Sequence, residues 1–266
     1  MLNREYRAEL LRRYARSPED DELLARLLDK ADMRERSGRM QHSRFLSERD
    51  RLCVEPVLRE LGTEAVFWGG YAEAERTVLI LPAEWQDAES VKTGEGSPVA
   101  VLRAEWRGPE TLSHRDFLGA LMALGIERDL IGDIVPRAGS CDIVLLREIA
   151  PFVQQNFSSA GRASLQLEEI PEAEAKEAEF RLIRDTVASL RLDAIVGSGF
   201  ALSREKASAA IRAGKVSLNG MECLKPDRAV EAGTKISLRG VGKLRLAEVG
   251  GLSRKGRIQV VIHRFI

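Results

Sequence analysis

The first sixty residues place apolar side chains among charged ones with the 3.6-residue period of amphipathic helices. The segments EYRAELLRRYAR and DELLARLLDKADMRER follow this period, and Ser17-Pro18 gives the second helix a cap and a first-turn proline. A third helical segment, FLSERDRLCVEPVLRELG, contains Pro56, which predicts a break or kink there. We therefore predict a mainly helical N-terminal domain over residues 1–75.

From residue 76 the apolar runs become short and are separated by turn residues. The segments RTVLILP and SPVAVLRAEW predict strands, and SHRDFLGALMALG predicts a helix. From residue 98 the predicted order is β-α-β-β-α-β, which is typical of ferredoxin-like and RNA-recognition-like domains. The third strand, CDIVLLRE, lacks the aromatic side chains that stack bases in such domains, so we interpret this sheet as scaffold. The predicted middle domain covers residues 76–170.

The pattern changes again after an acidic segment, PEAEAKEAE, which predicts a linker over residues 171–190. In LSREKASAAIRAGKVSLNG, Ser203 is a helix N-cap and Gly214 ends the helix. A short strand and the hairpin signal Asn219-Gly220 follow. The fold class is therefore α+β, with a small C-terminal domain and a basic tail over residues 191–266.

A net charge of zero conceals an uneven distribution along the chain. Residues 191–266 hold 15 Lys and Arg against 6 Asp and Glu, a net charge of +9. Because the whole chain has 41 of each sign, residues 1–190 hold 26 against 35, a net charge of −9. A basic C-terminal module on an acidic body indicates a nucleic-acid partner for one end of the chain.

Composition narrows the protein class further. No apolar run approaches the length that crosses a bilayer, and the charged first twenty residues do not resemble a secretory signal. The three cysteines lie far apart and lack metal-ligand spacing, which argues against a disulfide framework. We expect a cytoplasmic protein with no membrane contact, and we expect it to be a monomer.

Candidate catalytic and metal-binding motifs are weak. His42 and His263 are isolated from Cys and from carboxylates at ligand spacing, and WGGY lacks the spacing of a phosphate loop. Ser113 and Asp116 resemble a capping box, which leaves His114 and Arg115 exposed in the first helical turn. A secondary RNA or ribosome contact at His114 and Arg115 is the alternative interpretation. We predict no catalytic residue, no metal and no cofactor.

The basic module resembles the alpha-L RNA-binding domain that is named after protein four of the small ribosomal subunit. The matching positions are Arg191-Leu192-Asp193, Gly199-Phe200, Leu202-Ser203-Arg204, Ala207, Ile211, Gly214-Lys215-Val216, Asn219-Gly220, Pro226 and Gly233.

A longer resemblance covers the chain from about residue 40 onward. The segments FLSERDR, FWGGYAEAERTVL, LSHRDFLGALMALGIERDLIGDI and GVGKLRLAEVGGLSRKGRIQVVIHRF are similar to the bacterial YlmH family. The resemblance implies RNA binding, and it implies a link to large ribosomal subunits that carry a stranded peptidyl-tRNA in ribosome-associated quality control, or to cell division. The segment FLSERDR has Ser-Glu where the family usually has Asp-Pro.

The candidate RNA contacts are basic or polar residues of this module. Arg204, Ser208 and Arg212 are four residues apart, so they form one ridge on a helix. Arginine and lysine on a rigid ridge can bind RNA phosphates, and we expect Lys255 and Arg257 to form a second patch beside Arg239 and Lys243. The full predicted set is Arg191, Ser203, Arg204, Lys206, Arg212, Lys215, Asn219, Lys225, Arg239, Lys243, Lys255 and Arg257.

The sequence therefore predicts a non-enzymatic factor that binds structured RNA. Ribosomal RNA and tRNA on the large ribosomal subunit are the partners that the resemblance implies. Two alternatives remain: a protein-interaction adaptor linked to cell division, whose acidic helices would be the docking surface, and an RNA-modifying enzyme. The enzyme needs a catalytic domain, and the sequence contains no glycine-rich cofactor loop after a strand and no nucleophile with a base.

Overall fold

The structure is a computed structural model that describes residues 2–174 and 180–265. The chain divides into two compact units, Met1–Lys176 and Glu177–Ile266. Helices and antiparallel sheets occur in both units, so the predicted α+β class is confirmed. No helix in the described ranges is both long enough and apolar enough to cross a membrane.

The N-terminal part of the first unit is a three-stranded antiparallel sheet packed against three helices. The helices are α1 (Arg4–Tyr14), α2 (Pro18–Ser37) and α3 (Glu48–Leu61), and the sheet order is β1-β3-β2, with strands β1 (Gln41–Leu46), β2 (Val66–Trp68) and β3 (Thr77–Leu81). Two results differ from the sequence prediction. The strand β3 joins β1 and β2 instead of the middle domain, and α3 continues through Pro56 without a break.

Leucine and valine side chains hold this part together. Leu10, Leu24 and Leu28 of the helices and Leu79 and Leu81 of β3 form one cluster with the apolar face of α3. Each of these five side chains is at most 3% exposed, and burying such a side chain stabilises the fold by roughly 2 kcal/mol. The apolar spacing that predicts the helices therefore marks the face that covers the sheet.

The rest of the first unit has the predicted ferredoxin-like order. The elements are β4 (Val99–Glu105), α4 (His114–Ala123), a short 3-10 helix (Arg128–Leu130), β5 (Ile131–Pro136), β6 (Ser140–Leu146), a second 3-10 helix (Arg147–Ile149), α5 (Ala150–Asn156) and β9 (Gln166–Ile170), with a small β7–β8 hairpin (Ser159–Ala160, Ala163–Ser164) before β9. The strand order is β5-β6-β4-β9, so β6 of the second half lies between the two strands of the first half and β9 lies at the edge beside β4. Phe117, Leu121 and Val153 of the helices pack on one face of this sheet, against Leu102 and Ile143.

The other face of the same sheet is also covered. Val101 of β4 and Val144 of β6 lie in one cluster with Phe45 of β1 and with Val78 and Ile80 of β3. Val101 and Val144 are 2% and 0% exposed. In RNA-recognition domains this face carries the base-stacking aromatic residues. Because the N-terminal sheet occupies it here, the sheet is a scaffold with both faces buried.

Two glycines allow the close approach of these layers. A Cβ atom on Gly70 would lie 2.9 Å from Val144 Cγ1, and one on Gly132 would lie 2.6 Å from the ring of Phe45. Gly70 also has a φ of +80°, which side chains rarely adopt. The segment WGGY is therefore a tight turn pressed against the sheet. Its Tyr71 hydroxyl donates to Asp133 of β5 at 2.7 Å.

A buried ion cluster lies on the neighbouring strands β4 and β6 of this sheet. Asp142 of β6 is fully buried and accepts hydrogen bonds from Arg103 at 2.7 and 3.0 Å and from Arg137 at 2.8 Å. The backbone N–H of Glu174 donates to the same carboxylate at 3.0 Å. Burial raises the pKa of Asp142, but these hydrogen bonds outweigh it and hold the pKa below its ordinary value.

The second unit is a six-stranded antiparallel sheet with two helices on one face. The elements are β10 (Phe180–Val187), α6 (Leu192–Phe200), α7 (Arg204–Arg212), β11 (Val216–Leu218), β12 (Met221–Glu222), β13 (Lys235–Leu238), β14 (Gly242–Leu252) and β15 (Ile258–Phe265). The strand order is β10-β15-β14-β13-β11-β12. Ile195 and Ile211 of the helices pack against Ile236, Leu244 and Ile262 of the sheet.

The predicted linker and tail differ from the observed structure. Residues 180–187, assigned to the linker from sequence, form β10, which pairs along its whole length with β15 of the predicted tail. This pairing joins residues more than seventy positions apart, so local sequence signals do not reveal it. Residues 175–179 of the predicted linker lie outside the described residues.

We predict that Asp142→Asn lowers the free energy of unfolding of the first unit by about 3–5 kcal/mol, because Arg103 and Arg137 then lack their shared countercharge. Chemical unfolding followed by tryptophan fluorescence measures this effect, since all three tryptophans lie in the first unit. Since the folded pKa is lowered, the contribution of Asp142 is present above about pH 4 and is lost as the pH falls through the folded pKa.

The matched control is Glu174→Gln. The Glu174 side chain also contacts Arg103, at 2.8 Å, but it is 63% exposed. An exposed ion pair contributes less than about 1 kcal/mol, so this variant should resemble the parent. Equal destabilisation by the two variants would contradict the role assigned to Asp142.

Candidate nucleic-acid interface

The two helices of the second unit are held against its sheet by a small-residue contact. A Cβ atom on Gly199 of α6 would lie 2.3 Å from Leu244 Cδ2, so only glycine lets α6 approach β14 this closely. The chain then turns at Ala201, which has a φ of +55°, and the N–H of Leu202 donates to the carbonyl of Gly197 at 2.9 Å. This tight connection fixes the direction of α7.

Both ends of α7 are capped as the sequence predicts. The Ser203 hydroxyl accepts from the N–H of Lys206 at 3.2 Å, and Gly214 follows the helix with a φ of +67°. Ala207 and Ile211 are fully buried, while Arg204, Lys206 and Arg212 are exposed. The helix therefore presents its basic residues from a rigid support. Ser203 has a structural role in that support.

A buried aspartate organises the first group of basic residues. The Asp193 side chain is 3% exposed and accepts from Arg191 at 3.0 and 3.2 Å and from Arg204 at 3.3 Å. The Ser208 hydroxyl lies 3.5 Å from the same carboxylate. Burial raises the pKa of Asp193, yet the hydrogen bonds from Arg191 and Arg204 hold that pKa below its ordinary value.

This cluster orients the two arginines and leaves some of their N–H donors free of bonds to Asp193. Two guanidinium groups share one carboxylate, so the cluster keeps a net positive charge. Each guanidinium has five N–H donors, and Arg204 uses only its Nε toward Asp193. With 64% of the Arg204 side chain exposed, its remaining donors can bind a phosphate.

The loop before β13 adds two further cations at the start of α6. The carbonyls of Pro226 and Arg228 accept from the N–H groups of Asp193 and Leu192 at 2.9 and 2.8 Å. These bonds place the loop that holds Lys225 and Arg228 beside Arg191. Lys225 was predicted from the sequence, whereas Arg228 was missed. Its position three residues after Lys225 in LKPDRAV was the only available signal.

A second group of cations lies at the C-terminal end of α7. The N–H of Arg239 donates to the carbonyl of Lys215 at 2.9 Å, and Val216 pairs with Leu238 in the sheet. Lys215 and Arg239 are thus neighbours, and Arg212 precedes Lys215 by three residues. All three side chains are exposed. We call the two groups together the basic surface: Arg191, Arg204, Arg212, Lys215, Lys225, Arg228 and Arg239.

Asn219 serves the hairpin. Asn219 and Gly220 both have positive φ, +47° and +80°, as a type I′ turn requires. The Asn219 side-chain oxygen accepts from the N–H of Lys235 at 2.8 Å. This bond connects the turn to β13. Asn219, which the sequence suggested as an RNA contact, therefore has a structural role in the hairpin.

The predicted second patch is divided in the structure. Lys243 is near the start of β14, whereas Lys255 and Arg257 lie beyond its end at Leu252. At about 3.4 Å per residue the two places are about 30 Å apart, so a patch that joins them was a wrong prediction. Arg257 instead donates to the carbonyl and hydroxyl oxygens of Thr186, at 3.2 and 3.1 Å, and lines a pocket of about 360 Å³ together with Arg204.

The candidate secondary contact is in the first unit. Asp116 accepts from the Ser113 N–H and hydroxyl at 2.8 and 2.7 Å, so the predicted capping box is present. His114 and Arg115 are exposed in the first turn of α4. Burial and the nearby Arg128 guanidinium lower the pKa of His114, which leaves a neutral imidazole at pH 7. A neutral ring adds no charge for phosphate binding.

Among the described residues, two of the cysteines lack the pKa, and the possible metal ligands lack the arrangement, that catalysis requires. Burial raises the pKa of the Cys53 thiol to about 11 and that of Cys141 to about 12, so neither is a thiolate at neutral pH. Across residues 2–174 and 180–265 no group of His, Cys, Asp or Glu has the arrangement of a metal site.

Two protein-family models match the chain. One describes an RNA-binding domain in YlmH and matches residues 109–174, which contain α4, β5, β6, α5 and β9. The other describes the S4 domain and matches residues 190–236, which contain α6, α7 and the strands up to β13. The second match contains six of the seven residues of the basic surface, all except Arg239.

Similar proteins are known from sequence and from structure. A solved structure named cell division protein ylmH, from Streptococcus pneumoniae, is 18% identical, with a TM-score of 0.49 over 59% of this chain and 94% of that one. The Bacillus subtilis (strain 168) protein named ribosome-associated protein quality control protein P2 is 31% identical over 233 residues. That match covers 85% of this chain and 88% of the relative. On this similarity, together with the two matched domains, the chain belongs to the YlmH family of RNA-binding proteins.

Proposed function

We propose that the chain is a non-enzymatic factor that binds structured RNA, with ribosomal RNA and tRNA on the large ribosomal subunit as its targets. The observation that carries this proposal is the basic surface, in which exposed arginines and lysines are held by capped helices and by Asp193. A rigid array of cations loses little conformational entropy when it binds the fixed charges of an RNA backbone. Such a surface suits folded RNA, which proteins recognise through its shape and its phosphates.

The ribosomal target rests on similarity. The Bacillus subtilis relative is named for ribosome-associated quality control, and it aligns with most of this chain. The charge distribution agrees with such a role, because residues 1–190 are acidic and repel RNA, whereas residues 191–266 attract it. We propose that the protein acts as a monomer in the cytoplasm and uses the second unit to bind RNA.

We predict that Arg212→Glu combined with Lys215→Glu weakens binding to a structured RNA by about tenfold or more, because two charge-assisted phosphate contacts are lost. Both side chains are exposed, so the fold should persist. If about six phosphates are contacted, the log–log salt slope of the parent should be about −4 to −5, and the variant should lose between one and two units of it. Fluorescence anisotropy across a salt series measures both quantities.

The control combines Arg4→Glu with Arg12→Glu, which changes the net charge equally on the exposed face of α1. This variant should bind RNA as the parent does. Arg204 is a poor choice for the same test, because a glutamate there would face the buried Asp193 and destabilise the unit. Equal losses in the control and in the Arg212 variant would show that net charge matters and that the basic surface has no special role.

We predict that the protein co-sediments with large ribosomal subunits, that salt weakens this binding and that bound tRNA strengthens it. The measurement compares free large subunits, small subunits and whole ribosomes, with and without tRNA, across a salt series. The Arg212→Glu, Lys215→Glu variant should remain in the supernatant. Absence of binding to any ribosomal particle at low salt would refute the ribosomal target and leave binding of other structured RNA.

A further inference from the structure

Among residues 180–265, the two helices of the second unit cover only one face of its sheet. In antiparallel pairs, directly opposed residues share a face, so the register assigns every side chain to one side. Ile183, Leu244 and Ile262 point to the helices and to the core. Their neighbours along the strands point away from it. We call this opposite side the outer sheet face: Phe180, Leu182 and Arg184 of β10, His263 and Phe265 of β15, Lys243 and Arg245 of β14, and Lys235 of β13.

The outer sheet face is apolar and aromatic on one side and basic on the other. One row across four strands reads Leu182, His263, Arg245 and Lys235. With strands about 4.8 Å apart, Arg245 lies about 5 Å from the His263 position and Lys235 about 10 Å from it. The His263 ring therefore lies next to Arg245, with Lys235 one strand further away.

The aromatic side contains a preformed stack. The rings of Phe180 and His263 lie 3.9 Å apart between centroids and are tilted by only 9°. Phe180 is 42% exposed and its neighbour Leu182 is 41% exposed. Large apolar side chains that lie together and exposed on a strand indicate a binding surface. Stacked flat rings offer a π-face to a further flat ring.

The basic side of the outer sheet face is centred on Arg245. Arg245 is directly opposite Lys235 on one neighbouring strand and opposite His263 on the other. The Arg245 side chain is exposed and forms no hydrogen bond or ion pair among residues 2–174 and 180–265. Its guanidinium donors can therefore bind a phosphate.

We propose that the outer sheet face binds single-stranded RNA, with a base stacked on the Phe180–His263 pair and an adjacent phosphate bound by Arg245. Single-stranded RNA is the ligand that combines flat, apolar rings with a regular series of anionic groups. A protein partner of acidic character would match the cations, but it would not need the stacked rings. The equivalent face of the ferredoxin-like domain is buried, so a base cannot stack there.

Arg204 and Arg212 of the basic surface are separate from this face, because α7 lies on the other side of the same sheet. The second unit can thus bind a folded RNA with its helices and an unpaired segment with its sheet. Binding at the outer sheet face does not depend on the ribosomal target, and it is tested with a different probe.

The test uses the full chain and a fluorescein-labelled oligouridine of about ten nucleotides, which matches the site size of small single-strand binding domains. Phe180→Ala should weaken binding by about five- to a hundredfold, since one base loses its stacking partner. Arg245→Ala should also weaken binding and should lower the salt slope by about 0.7. Both side chains are exposed, and thermal unfolding checks that the variants remain folded.

Two controls separate this proposal from the proposed function. Leu252→Ala removes an apolar side chain that is 70% exposed on β14, and it should leave oligouridine binding unchanged. The Arg212→Glu, Lys215→Glu variant should bind a labelled RNA hairpin more weakly than the parent does. Phe180→Ala should be recognised by its weaker oligouridine binding. Equal oligouridine affinity in the parent, Phe180→Ala and Arg245→Ala would overturn the proposal, even if the hairpin result holds.

Discussion

The burial of an aspartate between two arginines is the interaction on which both units depend. In the first unit Asp142 joins Arg103 and Arg137, and in the second Asp193 joins Arg191 and Arg204. A buried carboxylate is costly unless cations and N–H groups surround it, so each aspartate dictates where its arginines lie. In the first unit this fixes the end of a scaffold. In the second it sets the positions of two side chains of the basic surface.

The two sheets in this protein distribute their surfaces differently. The ferredoxin-like sheet has helices on one face and the N-terminal sheet on the other, so its valines lie in a closed core. The sheet of the second unit has helices on one face and charged or aromatic residues on the other. Topology alone would assign RNA recognition to the first sheet. Burial and charge instead favour the sheet of the second unit.

The features that the sequence predicted are those set by neighbouring residues. Ser203, Gly214 and Asn219 have the positions in caps and turns that their chemistry favours, and the order of the ferredoxin-like elements follows from periodicity. The strands β1 and β10 were missed because their partners are distant in sequence and their own apolar patterns are weak. The sharing of Asp193 by two arginines, and the contact of Arg257 with Thr186, likewise arise from tertiary folding.

The pairing of β10 with β15 has a consequence for the order of folding. Phe180 pairs with Phe265 and Val187 with Ile258, so this ladder closes a loop that contains all the other elements of the second unit. Closing a long loop costs entropy that no local contact offsets, which slows the step relative to helix and hairpin formation. During synthesis, α6 and α7 can therefore pack before β10 has a partner. The Phe180–His263 stack forms only when this last ladder closes, so it reports completion of the domain.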